Sequence, residues 1–239
     1  MSTTENARTT AAGYEAAGYD ADLGARVGVE IEQIKSRYPA GQERSALIPM
    51  LHLVQSIDGY VSPRGIALCA EALGLTRSEV SAVATFYSQF HRHPAGEYHV
   101  GVCTNALCAV MGGDAVWRAV SEHTGLGNDE TSEDGRISLE RVECNAACDY
   151  APVVMVNWEF FDNQTPASAV ELVSRLERGE DVVPTRGPET LPTFRENERL
   201  LAGFEDGRAD EGVGAGEASL LGLRIARERG WTAPGEETK

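Results

Sequence analysis

The sequence predicts an α+β protein in which an N-terminal helical bundle precedes a mixed α/β domain. Three observations carry that expectation. Apolar residues recur at near-helical spacing as far as Phe90, punctuated by helix caps and stops. Beyond Gly96 the pattern changes to short β-branched runs alternating with helical stretches. Four of the five cysteines fall in that second part as two close pairs, Cys103-Thr-Asn-Ala-Leu-Cys108 and Cys144-Asn-Ala-Ala-Cys148.

Residues 1–22 are poor in large apolar side chains and read as a disordered start. A first helix is expected over Leu23 to Arg37, where Val27, Ile31, Ile34 and Tyr38 share a face and Pro39 with Gly41 stops the run. A second starts at Ser45 and carries Leu47, Ile48, Leu51 and Val54 to the Asp58-Gly59 break. The third opens with Ser62-Pro63, a cap followed by a proline whose missing N–H costs nothing there; Ile66, Cys69, Ala70 and Leu73 form its apolar face. Thr76-Arg-Ser-Glu79 is a capping box for a fourth, with Val80, Val83, Ala84, Tyr87 and Phe90 along it.

His91-Arg-His-Pro-Ala-Gly96 is a turn-rich joint. Tyr98 to Val102 then reads as a strand delivering Cys103, and Ala115, Val116, Ala119 and Val120 as a helix ending near Gly125. Ile137, Leu139 and Val142 mark a strand delivering Cys144. Val153 to Val156 and Trp158 to Phe161 suggest a hairpin, and Thr165-Pro166 caps a helix through Leu172, Val173 and Leu176. Strand, helix, strand, hairpin, helix is a thioredoxin-like order, with both cysteine loops at strand ends, where open α/β sheets place ligands. The expected division is therefore a disordered start (1–22), a helical N-terminal domain (23–93), a thioredoxin-like domain (94–183) and an acidic, mostly extended tail (184–239). Within the tail, Ala218 to Arg229 has the pattern of a short amphipathic helix that docks on a partner or forms transiently.

Composition limits the function classes. A net charge of −16 over 239 residues argues against nucleic-acid binding, which rests on clustered Lys and Arg, and suits basic partner surfaces. No apolar run approaches the roughly 20 residues of a membrane span. The first residues do not resemble a secretory signal, so a cytoplasmic location with reduced cysteines is expected, and the Asn163-Gln-Thr165 sequon is idle.

Two thiolate pairs on separate loops are what a four-sulfur metal centre needs. Three occupants compete: a [2Fe–2S] cluster, a structural zinc, or none. Structural zinc usually takes pairs spaced Cys-x2-Cys, whereas the gaps here are wider and suit two metals each held by one pair. An oxidised four-thiolate [2Fe–2S] unit carries a formal charge of −2, and −3 when reduced. It therefore needs backbone N–H donors, which loops of small residues such as Thr104–Leu107 and Asn145–Ala147 can turn inward. Gly112-Gly113 opens a helix whose positive end lies nearby. A Rieske centre lacks its Cys-x-His pairs here, and a thioredoxin dithiol lacks its Cys-x-x-Cys. Cys69 reads as a buried inert thiol, His91 and His93 as solvated turn residues, and His52, His99 and His123 as packing or surface residues. Gly212-Val-Gly-Ala-Gly216 follows no strand and is set aside as a phosphate loop. With no acid–base pair or phosphate loop, the chain is expected to transfer electrons without binding the substrate that supplies them.

These residues resemble the peripheral-arm [2Fe–2S] subunit family of respiratory complex I, the bacterial NADH-quinone oxidoreductase. The stretches that carry the resemblance are Gly59-Tyr-Val-Ser-Pro-Arg-Gly-Ile66, Glu79-Val-Ser-Ala-Val-Ala-Thr-Phe-Tyr-Ser-Gln-Phe90, Val102-Cys-Thr-Asn-Ala-Leu-Cys108 and Glu143-Cys-Asn-Ala-Ala-Cys-Asp-Tyr-Ala-Pro152. The resemblance implies a helical bundle followed by a thioredoxin-like [2Fe–2S] ferredoxin domain, with Cys103, Cys108, Cys144 and Cys148 binding one cluster. It implies docking on a flavin subunit that binds NADH and FMN, contact with other peripheral-arm subunits, and a place at the inner face of the plasma membrane through that assembly. NAD-linked hydrogenases and formate dehydrogenases share the ferredoxin domain, so the motif alone does not separate them. The length of the tail after Val183 departs from the family pattern.

Overall fold

A computed structural model describes residues 18–232, which fall into two compact units. The first comprises the chain up to Tyr98 with Thr131–Ser138 and Pro192–Gly207; the second comprises His99–Glu130, Leu139–Leu191 and the chain from Arg208.

The first unit is helical: α1 (Ala21–Lys35), α2 (Leu47–Asp58) preceded by a 3-10 turn, α3 (Pro63–Leu73) and α4 (Arg77–Phe86). Asp20 caps α1 by accepting from the Leu23 N–H, Ser62 caps α3, and the Thr76–Glu79 capping box starts α4, each leaving fewer orphan donors at a helix start. Val27, Ile31, Ile34, Leu51, Val54, Ile66, Cys69 and Val80 form the core that the periodicity predicts. Ile48 and Tyr87 differ, both being exposed; α4 stops at Phe86, which leaves Tyr87 outside the helix. Most of the expected disordered start lies outside the described residues. Its last part is ordered, with Tyr19 buried and donating to Asp58 at 2.9 Å.

Residues 184–239, expected to be mostly extended, hold two helices where they are described: the expected Ala218–Arg229 stretch is helical over Glu217–Glu228, and a second helix was not foreseen. Phe194–Leu201 forms a helix opened by a Thr193–Glu196 capping box, and it packs against α2 within the first unit. Its inner face is Phe194, Asn197 and Glu198, followed by the buried cap Ala202. That face is half polar, and so it carries no apolar stripe. His52 and Gln55 of α2 meet Glu198 Oε2 at 2.7 and 2.8 Å and make its burial possible.

The sheet has five strands in the order β2-β3-β1-β4-β5: β1 (Tyr98–Cys103), β2 (Glu130–Thr131), β3 (Ile137–Val142), β4 (Val154–Val156) and β5 (Glu159–Phe161). Donation from Tyr98 N–H to Arg136 O and from Thr104 N–H to Val142 O keeps one offset, so β1 and β3 run parallel. β1 pairs antiparallel with β4 (Val100 opposite Val156), and β4 with β5 (Val156 opposite Glu159). Asn157 and Trp158 turn that hairpin with φ of 48° and 68°, the left-handed pair a two-residue turn requires. This mixed sheet with helices is the thioredoxin-like arrangement expected. The second unit also holds α5 (Ala106–Val110), α6 (Gly113–Thr124) and α7 (Pro166–Glu177), the last two packed together. With Phe194–Leu201 as α8, the final helix is α9 (Glu217–Glu228).

Candidate metal centre

The parallel pair delivers the two cysteine loops from adjacent strand ends. Cys103 is the last residue of β1, and its N–H donates to Val153 O at 3.1 Å. Asn105 then caps α5, a single turn of helix that lifts Cys108 back towards the sheet. β3 ends at Val142, two residues before Cys144, and Cys148 opens a 3-10 turn to Tyr150. The loops are tied: Cys103 Sγ donates to the Glu143 carbonyl at 3.7 Å, and Thr104 N–H to the Val142 carbonyl at 3.2 Å.

All five cysteines are free thiols, and four of them gather. Cys108 neighbours Cys103 and Cys148 neighbours Cys144, and Cys148 lies within electrostatic reach of Cys103 and Cys108 as well. Desolvation first, and then the neighbouring Cys103, push the Cys108 thiol up to about 11, with the Val153 backbone acting in the opposite direction. Desolvation and then the Cys144 neighbour raise Cys148 as well. Cys108 and Cys148, one from each loop, therefore resist becoming anions unless positive charge arrives, which is what bound metal supplies. Backbone donors are in place: Ala146 adopts φ of 52° and turns its N–H to Cys144 Sγ at 3.3 Å. Between the two exposed cysteines, the Asn145 amide nitrogen is buried without a hydrogen-bond acceptor among the described residues. The inorganic sulfides of a [2Fe–2S] group are acceptors that a lone zinc ion lacks. The donor set therefore fits the cluster.

Burial divides the site. Cys103 and Cys108 are 2% and 3% exposed, whereas Cys144 and Cys148 are open to solvent. Beside Cys108, the α5 residues Leu107 and Val110 and the adjoining Met111 are exposed apolar side chains. Gly113 fixes the floor: a Cβ there would lie 2.6 Å from the Cys103 carbonyl oxygen and 2.9 Å from that of Cys108. The sequence marks Gly112-Gly113 as a helix start; the contact with both cysteine carbonyls is visible only in the fold.

The remaining candidates separate from this site. Cys69 is fully buried in α3 of the first unit, and desolvation pushes its thiol up to about 12. His91 is buried, not solvated as expected; its ring meets Phe194 edge-on at 5.5 Å because the turn folds inward onto Gln55, which accepts the His91 N–H. His52 pairs with Glu198, His99 with Glu140 at 2.7 Å and His123 with Glu177 at 3.0 Å, all structural partnerships.

A sheet of this order with two cysteine pairs at its strand ends defines a class, and the sequence model of the thioredoxin-like [2Fe–2S] ferredoxins matches residues 31–177: the chain belongs to that family. Among curated proteins it is 56% identical over 217 residues to the E subunit of NADH-quinone oxidoreductase from Mycobacterium tuberculosis, covering 90% of this chain and 85% of that one. It is 35% identical over 150 residues to NADH-quinone oxidoreductase subunit 2 of Thermus thermophilus (62% of this chain, 83% of that one). It is also 34% identical over 164 residues to the mitochondrial NADH dehydrogenase [ubiquinone] flavoprotein 2 of Dictyostelium discoideum (68% and 65%).

Proposed function

We propose that this chain is the electron-transfer subunit of an NADH-quinone oxidoreductase, respiratory complex I, with Cys103, Cys108, Cys144 and Cys148 holding one [2Fe–2S] cluster. The observation that carries the reading is the gathering of four free thiols at the ends of β1 and β3. The 56% identity to the mycobacterial NADH-quinone oxidoreductase relative supports the same assignment. When bound, the cluster supplies one-electron chemistry, exchanging single electrons with the FMN of the partner subunit that binds NADH. This chain's residues hold and screen it. Cys103 and Cys108 form the dry side, Ala146 donates its N–H to Cys144, and the exposed Leu107, Val110 and Met111 border the side a partner approaches. The chain reaches the inner face of the plasma membrane as part of an assembly with the flavin subunit and other peripheral-arm subunits. Among the described residues no helix is long and apolar enough to cross a membrane.

The test is electron exchange with the partner. The chain is reduced with dithionite, freed of excess reductant and mixed with oxidised flavin subunit. Its paramagnetic cluster signal should vanish as the flavin gains electrons. A stable complex in which the signal persists contradicts the proposal.

A further inference from the structure

Within the second unit, residues 208–219 run along residues 186–190 and end on the turn that carries Cys148. Arg186 organises the path. Its Nε lies 2.8 Å from Asp162 Oδ2, and its Nη1 donates to Gly214 O at 2.6 Å. The guanidinium sits 3.6 Å from the Phe160 ring centroid and 5.2 Å from that of Tyr150. Gly187 N–H donates to Val213 O at 3.3 Å, and Arg208 Nη1 to Thr190 O at 3.2 Å.

Two glycines of the Gly-x-Gly-x-Gly run allow this approach. A Cβ on Gly212 would lie 1.7 Å from Gly187 O, and one on Gly216 would lie 2.1 Å from Tyr150 Oη. The motif that superficially matches a phosphate loop is a packing device. α9 then starts on the cysteine loop: Ala218 N–H donates to Tyr150 Oη at 3.1 Å, and Ser219 Oγ donates to the Asp149 carboxylate. Asp149 and Tyr150 are the two residues after Cys148. α9 contains no buried residue, and Leu220, Leu221 and Leu223 are 43%, 43% and 48% exposed. Hydrophobic burial therefore does not hold this helix in place. What attaches it are the bonds at its first turn, and these grip the Cys148 turn.

We propose that residues 208–219 form a strap whose Ser219 and Ala218, through Asp149 and Tyr150, position Cys148 as a ligand and set the lability and potential of the cluster. The proposal rests on the reading of Cys148 as a ligand. Cys148 and Asp149 are exposed, and apart from the strap the turn is joined by Tyr150 N–H to Ala147 O at 2.9 Å, Asn163 N–H to Tyr150 O at 2.9 Å and a longer Ala151 N–H to Cys148 O contact at 3.4 Å. Two side-chain anchors on successive residues restrict how the turn opens. The strap also has an electrostatic effect. A carboxylate one residue from a ligand disfavours adding an electron to the cluster, and a hydroxyl donor with the positive end of a 12-residue helix offsets it.

The experiment compares full-length, cluster-loaded protein carrying Ser219→Ala, Tyr150→Phe, both together, or Ser219→Thr. Two quantities are read: the rate of iron release to a ferrous chelator, and the midpoint potential from a redox titration followed by electron paramagnetic resonance. The double variant should isolate with full iron yet release it roughly tenfold faster, as the loss of two hydrogen bonds implies. Ser219→Ala should titrate at a more negative potential, and Ser219→Thr should restore it. Wild-type release in the double variant overturns the proposal, as does faster release with an unmoved potential in Ser219→Ala. Cys148→Ser, run alongside, separates the two claims: full iron in that variant removes the ligand assignment itself.

Discussion

Cys69 and Cys148 place the same side chain in opposite settings. The first is sealed in an apolar helix face with its thiol held protonated; the second sits in an exposed turn among three other sulfurs. Cys148→Ser should abolish stable iron binding, whereas Cys69→Ser should keep the iron and cost about 1–3 kcal/mol for a hydroxyl placed in an apolar core. Metal analysis and denaturant midpoints separate the two effects. Gly113 gives a second contrast. Gly113→Ala drives a methyl against the Cys103 and Cys108 carbonyls and should lower iron content along with about 1–3 kcal/mol of stability. Gly135→Ala, at a positive φ of 71° with open space around it, should cost about 1–2 kcal/mol of backbone strain and leave iron content unchanged. The two cysteine pairs were legible because thiol pairing is written locally, in residue type and short spacing. The Gly113 contact and the buried Asn145 amide were not, because both depend on which strand end lies beside which.

At the scale of elements, helices that bury an apolar stripe were readable and those that bury something else were not. α1 and α3 follow their periodicity and caps. α8 hides Asn197 and Glu198, so its pattern looks like solvated charge until His52 and Gln55 stand opposite. Its Thr193–Glu196 capping box was the one local signal available. Glu198→Ala should destabilise the first unit by about 3 kcal/mol, by leaving a buried polar cluster half paired. A chain ending at residue 191 should unfold at lower denaturant than one ending at 207. The α4 capping box adds a pH dependence. Glu79 is held below the ordinary carboxylate range, first by the Thr76 N–H and then by its hydroxyl. Its contribution is therefore present above the unfolded value of about 4.3 and is lost as pH falls through the lower folded value. Amide exchange at residues 77–80 should accelerate over that acid range and not above it.

For the whole molecule, charge and the cluster site describe a protein built to dock. A net charge of −16 favours basic partner surfaces, and association with the proposed flavin-bearing partner should weaken as salt rises from about 0.01 M to about 1 M, where the screening length falls from ~30 Å to ~3 Å. Salt-independent binding measured by calorimetry would assign that interface to apolar contacts such as Leu107, Val110 and Met111 instead. The fold class was readable from element order because one parallel pair flanked by hairpins leaves few alternatives. The helix over Phe194–Leu201 was not foreseen because residues 192–207 draw their order from a helix far away in sequence. The account depends most on four sulfurs sharing one iron–sulfur group. Its most direct measurement is iron, acid-labile sulfide and cysteine accessibility on anaerobically isolated full-length protein. The predicted result is two irons and two sulfides per chain, with Cys103, Cys108, Cys144 and Cys148 protected from alkylation until iron is removed. A chain carrying one zinc and no sulfide, or four cysteines that alkylate freely as isolated, would contradict it.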